Sequence, residues 1–356
     1  KSLTYGVVSG TRVVAKGLNN YQRAELLLEK IESFRQPRFL LVDHSRFDST
    51  INTSHLKTTH RKYQRSFKSR SLRMLLREQL RNTGYTKGGI KYRTTGTRMS
   101  GDCDTACGNT MVNLDCLYGF LTRSNVSKYD MLVDGDDSII IIEASSVARL
   151  NYQLFEQLGF QTKHQIVQDL DEVEFCQGKI VLAERPVFVR QPERVLSHTS
   201  YTRKQYPVRT YARWIAAVGE CERACNIGVP VLQHYGRQLA SVSTEPFVDE
   251  ELRFRWELGD HKRPDAKITA DARDSFALAF GVPHDVQRLL ERTDYTAVMF
   301  CSYKKVNSEN HQYEQFRLAR SSRRLEASAK CTPESSGSCW WSSSQARGQR
   351  PGPGCL

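Results

Sequence analysis

The stretch "DMLVDGDDSIIIIE", Asp130 to Glu143, sets two apolar runs on either side of a short acidic turn. An apolar strand, a tight turn and a second apolar strand make a hairpin, which puts Asp134, Gly135, Asp136 and Asp137 at its tip. Carboxylates this close repel one another, so such a cluster is expected to surround a positive charge. A plain Asp-Gly surface turn is the structural alternative. An EF-hand loop is excluded, because its sixth place, which must be glycine, is Ile139. The reading that remains is a carboxylate cluster for a divalent cation.

A second acidic pair supplies the partner. In "FLLVDHSRFDSTI" a buried strand ends at Asp43 and Asp48 follows five residues later. Alone, this spacing equally fits a helix N-cap at Asp48 or Ser49. Together with the acidic hairpin it fits two strands that bring carboxylates to two magnesium ions roughly 3.5–4 Å apart, the arrangement for in-line phosphoryl transfer. Between these segments "GTRMSGDCDTACGNTMVN" opens a helix, with Ser100-Gly101 as a flexible turn before it. Thr105, Asn109 and Asn113 repeat at spacing four and share a face. That face carries small amides and a hydroxyl in place of Lys and Glu, which suits a sugar or a base better than solvent.

The rest of the pattern is mixed. Asn19–Phe34 reads as a helix stopped by Pro37, His55–Arg81 as a basic helical region, and "NTGYTKGGIKYRTTG" as a hairpin. Thr105–Leu121 reads as a helix with an apolar stripe at Leu114, Leu117, Tyr118 and Leu121. Val147–Leu158 reads as a helix stopped by Gly159, and "VEFCQGKIVLA" as a strand or hairpin. From about Arg190 the pattern turns helical. After about Arg320 it gives way to Ser, Arg, Gly and Pro, a tail expected to be disordered, with Trp340 and Trp341 as its large aromatics. Lys and Arg outnumber Asp and Glu 52 to 39, a net charge of +13 that favours an anionic partner. Ten scattered cysteines form no disulfide framework, and Cys221 and Cys225 have no companions for a zinc site. No apolar run is long enough to cross a membrane.

In order and spacing, D-x4-D, SG-x3-T-x3-N and GDD resemble motifs A, B and C of viral RNA-dependent RNA polymerases. "DHSRFD", "GTRMSGDCDTACGN", "EFCQ" and "KGLN" are most similar to the tombusvirus-like group, over about Gly10 to Ala183. The resemblance implies an α+β right-hand fold: a palm with a small antiparallel sheet and helices, partial fingers and a helical thumb. Residues 1–36 would be a fingers lead-in, 37–64 palm with motif A, 65–98 a fingers insertion, 99–189 palm with motifs B to E, 190–318 thumb and 319–356 the disordered tail.

The resemblance also implies roles. Asp43, Asp136 and Asp137 would be metal ligands, and Asp48 and Asn109 would sense the ribose 2′-hydroxyl with support from Thr105. Ser100 and Gly101 would form the mobile motif B loop. Lys163 would give a proton to pyrophosphate, and Glu174 to Gln177 would be the primer grip. Asp134 departs from the family, which usually has an amide there, and His44 occupies a variable position.

The implied activity is templated nucleotidyl transfer replicating a positive-strand RNA genome, with Mg2+ or alternatively Mn2+. RNA template and product and nucleoside triphosphates would be its partners. Other viral replication proteins and host membranes would be engaged through regions outside this chain, in a membrane-associated complex of the host cytoplasm. A reverse transcriptase would carry a bulky aromatic in place of Asp48. Motif F, the basic segment that grips the triphosphate, would lie upstream of "KGLN", where this chain has almost nothing. The N-terminal fingers are therefore expected to be missing, and an RNA-binding fragment without turnover is the alternative.

Overall fold

The computed structural model describes residues 7, 8, 10–202 and 204–296, all within one unit, Lys1–Ala297; a second unit, Val298–Leu356, lies outside them. The expected disordered tail, Trp340, Trp341 and the end of the expected thumb therefore fall outside the described residues.

A two-residue pair, β1 (Val7–Val8) and β2 (Thr11–Arg12), precedes helix α1 (Asn20–Ile31). Asn19 starts α1 by accepting from the Gln22 amide while the Gln22 side chain accepts from the Asn19 amide, which satisfies two otherwise orphaned donors. The helix stops at Ile31, well before Pro37, and Pro37 instead opens strand β3 (Pro37–His44). A single helical turn, α2 (Phe47–Thr50), follows. The basic region is two helices, α3 (Thr53–Ser66) and α4 (Arg70–Glu78), broken where Ser69 caps the second. The hairpin β4 (Arg81–Tyr85) and β5 (Lys91–Thr95) comes next, as the paired glycines predicted.

Helix α5 (Thr105–Arg123) leads to β6 (Tyr129–Asp134) and β7 (Asp137–Glu143). The helix expected over Val147–Leu158 does not form as one piece. A 3₁₀ stretch, Ala144–Arg149, gives way to the short α6 (Gln153–Gln157), and Leu158 is left exposed. Only Leu154 of the expected leucine row is deeply buried, so a continuous helix would gain little from that face. Gly159, at φ +89°, does end the segment. Then come β8 (Thr162–Val167), the hairpin β9 (Glu174–Phe175) and β10 (Gly178–Val181), and β11 (Val187–Arg190). Six helices follow: α7 (Pro192–His198), α8 (Val208–Cys225), α9 (Leu232–Ala240), α10 (Glu250–Leu258), α11 (Ala270–Phe280) and α12 (His284–Glu291). Cys221 lies buried within α8 and Cys225 is its last residue.

The central sheet runs β6-β7-β3-β8, antiparallel throughout. Both of its faces are covered. Leu40, Val42, Ile140 and Ile142 pack towards Leu117, Phe120 and Leu121 of α5, and Phe39, Ile139 and Ile141 pack with Ala24 and Leu27 of α1 and with Phe175, Ile180 and Phe188. Four consecutive isoleucines are consistent with a strand buried on both sides, which gives up the usual apolar-polar alternation. β3 keeps its alternation only at its end, where Val42 and His44 are buried and Asp43 is exposed. The smaller sheet β11-β10-β9 stands beside it.

One buried ion pair ties α1 to β6. Lys30 Nζ lies 2.6 Å from Asp130, both side chains are essentially inaccessible, and Thr11 Oγ1 donates to the other Asp130 oxygen. Breaking a buried pair strands one charge, whereas replacing both partners need not. Lys30→Met should therefore lower the unfolding free energy in urea by about 3–5 kcal/mol, with much of it regained in Lys30→Met/Asp130→Leu. A loss below about 1 kcal/mol for the single variant, the value of an exposed pair, would contradict this.

Candidate active site

The end of β3 delivers the first acid. Asp43 pairs across the sheet with Lys163 of β8, and His44 with Thr162. The chain then turns at Ser45-Arg46, where Arg46 adopts a left-handed φ of 53°, and drops into α2. Asp48 is not a helix cap. Its Oδ1 accepts from Asn109 Nδ2 at 2.6 Å and its Oδ2 from Ser100 Oγ at 2.5 Å, so motif-A and motif-B residues meet on one carboxylate.

Helix α5 then meets the acidic hairpin. The turn is tight because Asp134 pairs with Asp137 and Gly135 takes φ +71°, a conformation that favours glycine. Thr110 Oγ1 accepts from the Gly135 amide at 3.1 Å, and Asn113 Nδ2 donates to the carbonyls of Gly135 and Asp136, each at 3.0 Å. Asn113 thus shares a helical face with Asn109 but serves the backbone of the turn and not a ligand. Thr105 is committed in a similar way: its hydroxyl reaches the carbonyls of Met99 and Asp102 and fixes the loop before α5.

His44 extends this network. Since both Asn113 contacts to the turn use Nδ2, its oxygen is the acceptor, so His44 Nε2 carries the hydrogen and donates to it at 3.3 Å. His44 Nδ1 accepts from Thr162 Oγ1 at 2.8 Å. Burial against Phe47, Phe155 and Phe160 pushes the imidazole down to about 4, which keeps it neutral at physiological pH. β8, β3, α5 and the β6-β7 turn are therefore joined through Thr162, His44 and Asn113.

The charges divide sharply. Asp134, the acid where the family usually has an amide, is neutralised by Arg23 at 2.5 Å from α1 and by Lys16 at 3.6 Å. Asp136 and Asp137 have no such partner among the described ion pairs. Burial first, and then neighbouring carboxylates, raise both above the ordinary range, Asp137 to about 6. A charge-deficient pair of hard oxygen donors suits a divalent cation. Among the described residues, no group of three acids, imidazoles or thiols could by itself hold a metal ion.

Most of the residues singled out in the sequence line one open cleft of about 1110 Å³: Asp43, Asp48, Ser100, Thr105, Asn109, Asp136 and Lys163. Gly101 is exposed at its edge, with open space where a Cβ would stand. Asp137 lines an adjoining recess with Glu174, Phe175, Cys176 and Gln177, and only Asp43 and Lys163 border both spaces. Inside the cleft, Asn109 Oδ1 is buried without a hydrogen-bond partner, an acceptor awaiting a donor. Thr110, Lys16 and Arg23 escaped the sequence reading. Thr110 sits one place from Asn109 in the same motif, whereas nothing local ties Arg23 to an acid 111 residues away.

A family model described as viral RNA dependent RNA polymerase matches residues 5–301. The chain is 32% identical to the RNA-directed RNA polymerase of Tobacco necrosis virus (strain A) over 298 residues, 79% of this chain and 41% of the relative. It is 32% identical to that of Groundnut rosette virus (strain MC1), covering 78% of this chain and 34% of the relative. It is also 32% identical to that of Turnip crinkle virus, covering 83% and 40%. The chain thus spans 34% to 41% of the length of these relatives.

The strained acids predict a stability effect of definite sign. A carboxyl whose folded value, about 6, exceeds its ordinary 3.8 destabilises the fold increasingly as pH rises through that interval, and fully above it. Screened by solvent in the adjoining recess, the effect is on the order of 1–2 kcal/mol. Asp137→Asn should therefore stabilise the metal-free chain by about that amount at neutral pH, and the gain should vanish below pH ~4. Urea titrations at the two pH values check this, and a variant less stable than wild type at neutral pH would contradict it.

Proposed function

Because the chain belongs to the viral RNA-dependent RNA polymerase family, we propose that it carries the catalytic core of an enzyme that extends an RNA 3′ end on an RNA template. Residues 37–64 and 99–189 act as the palm, 65–98 as a fingers insertion and the helices after 190 as the thumb. The observation that carries the reading is the convergence, in one cleft, of Asp43 and Asp136, neither in a described ion pair, with an acid–amide pair whose amide oxygen lacks a donor.

Asp43 and Asp136 would hold the magnesium ions, with Asp137 bordering the adjoining recess; manganese is the alternative ion. Bound metal would activate the attacking hydroxyl and neutralise the leaving pyrophosphate. The protein's own groups do the rest. Asn109 Oδ1 accepts the hydrogen of the ribose 2′-hydroxyl, while Asp48, held by Ser100 and Asn109, fixes the amide's orientation. Lys163, across the sheet from Asp43, would give a proton to a pyrophosphate oxygen. Arg46, Lys16 and Lys163 are the cations that line the cleft for the triphosphate.

A site built to bond a hydroxyl rejects the analogue without it, because its buried polar atoms stay unpaired. Asn109→Ala should lose most of its efficiency on ribonucleotides and narrow the ratio to deoxynucleotides by about 10- to 100-fold, the worth of one to three kcal/mol. Asp136→Asn should cut incorporation of both by several orders of magnitude while leaving RNA binding intact. Primed extension with each nucleotide class checks both. An unchanged ratio in Asn109→Ala, or wild-type incorporation by Asp136→Asn, would overturn the reading.

A further inference from the structure

Two features behind the cleft cost stability, and they meet at one point. Arg98 is 3% exposed, yet of its guanidinium nitrogens only Nη1 has a partner, Asp104 at 2.8 Å; Nε and Nη2 are buried without one. A buried donor left unpaired carries its full desolvation cost. Gly108 stands inside α5, where glycine is unfavourable relative to alanine. A Cβ there would come within 2.3 Å of Arg98 Nη2, so the glycine is what admits the guanidinium. Gly108 immediately precedes Asn109.

What Arg98 joins gives the reason. Its backbone amide donates to the Asp48 carbonyl at 2.8 Å, as the Thr97 amide does to that of Ile51 at 2.6 Å. Its side chain pairs with Asp104, the residue before α5, whose carboxylate caps no helix amide. The ion pair therefore ties together the two ends of segment 98–104. Ser100 of that segment holds one carboxylate oxygen of Asp48, and Asn109 of α5 holds the other. Asp104 is also fixed from outside. Tyr63 of α3 donates at 3.1 Å to the oxygen that Arg98 uses, and Gln79, the residue after α4, donates to the other at 2.7 Å. His60 Nε2 of α3 donates to Gln79 Oε1 at 3.0 Å. The segment that grips Asp48 is thus closed on itself and anchored on two helices.

We propose that Arg98 is a positioning residue for nucleotide selection. With Asp104 it sets where Asp48 and Asn109 stand relative to each other, and so how well the unpartnered Asn109 oxygen meets a ribose 2′-hydroxyl. Arg98 lines neither the cleft nor the adjoining recess, so it acts through Asp48 and Asn109 and not on the nucleotide. The proposal rests on the proposed ribose recognition by Asn109. Plain reinforcement of the fold fits less well, because an ion pair kept for stability gains nothing from two stranded nitrogens and a glycine in mid-helix.

The test compares kcat/KM for ribo- and deoxynucleotides in primed extension by wild type, Asn109→Ala, Arg98→Met, Arg98→Lys and Gly108→Ala. Arg98→Met should narrow the ratio by about 10-fold, chiefly by loss on ribonucleotides, since a small displacement of a positioned group costs that much or more. Arg98→Lys, which can still pair with Asp104, should recover most of it. Gly108→Ala removes no charge but crowds the guanidinium, and should narrow the ratio as Arg98→Met does. Because Arg98 acts through Asn109, Arg98→Met/Asn109→Ala should show the ratio of Asn109→Ala alone. Equal falls on both nucleotide classes in Arg98→Met and Gly108→Ala overturn the proposal, and so does a double variant in which the two effects multiply. If Arg98→Met does not fold, Gly108→Ala decides. An unchanged ratio in Asn109→Ala removes the ribose reading itself and this proposal with it. A narrowed ratio there, with an unchanged one in Arg98→Met and Gly108→Ala, removes this proposal alone. Should the wild-type chain not incorporate nucleotide, the ratio of affinities for the two classes, read by displacement of a fluorescent ribonucleotide, makes the same comparison.

Discussion

The acidic turn is held by a helix it does not touch in sequence. Gly135 and Asp136 present one amide and two carbonyls inward, and Thr110 and Asn113 of α5 satisfy all three. A two-residue turn carrying two repelling acids would otherwise depend on its own strand pairing alone. The same helix, one residue earlier, offers Asn109 to Asp48. Asp48 and the acidic turn are therefore held by adjacent residues of one helix, Asn109 and Thr110, and a shift of α5 would move both. His44 and Thr162 brace the helix from behind and require a neutral imidazole to do so, which burial among three phenylalanines supplies.

The electrostatics follow from that clamp. Charge is offset wherever it serves structure: Asp130 by Lys30, Asp134 by Arg23 and Lys16, Asp104 by Arg98. It is left without a described ion-pair partner at Asp136 and Asp137, whose carboxyls are raised above the usual range by burial first and by neighbouring carboxylates second. Asp134, which itself lines the cleft, has its charge offset by Arg23 of α1 and by Lys16.

Much of this was legible in the chain. The acidic hairpin, the strand ending at Asp43, the α5 helix and the β4-β5 hairpin have local signatures, since turn chemistry and apolar runs act over a few residues. The convergence of Asp43, Asp48, Asn109 and Asp136 followed from motif order. What escaped was set by tertiary contact. Asn113 looked like a ligand-facing amide because spacing shows a face but not its target. The Arg23–Asp134 and Lys30–Asp130 pairs join residues about a hundred positions apart. The leucines after Val147 suggested a helix whose face the fold does not bury.

The clamp is tested most directly by Thr110→Val against Thr110→Ser. Valine keeps the shape and removes the acceptor, leaving the Gly135 amide unpaired; serine keeps the oxygen. Under saturating primed RNA, Thr110→Val should lower kcat by about 10- to 100-fold, the worth of one buried hydrogen bond acting on the acidic turn. Nucleotide KM should change little, and Thr110→Ser should recover most of the rate. Equal kcat in wild type and Thr110→Val, at equal thermal stability, would contradict the view that α5 sets the position of the catalytic acids.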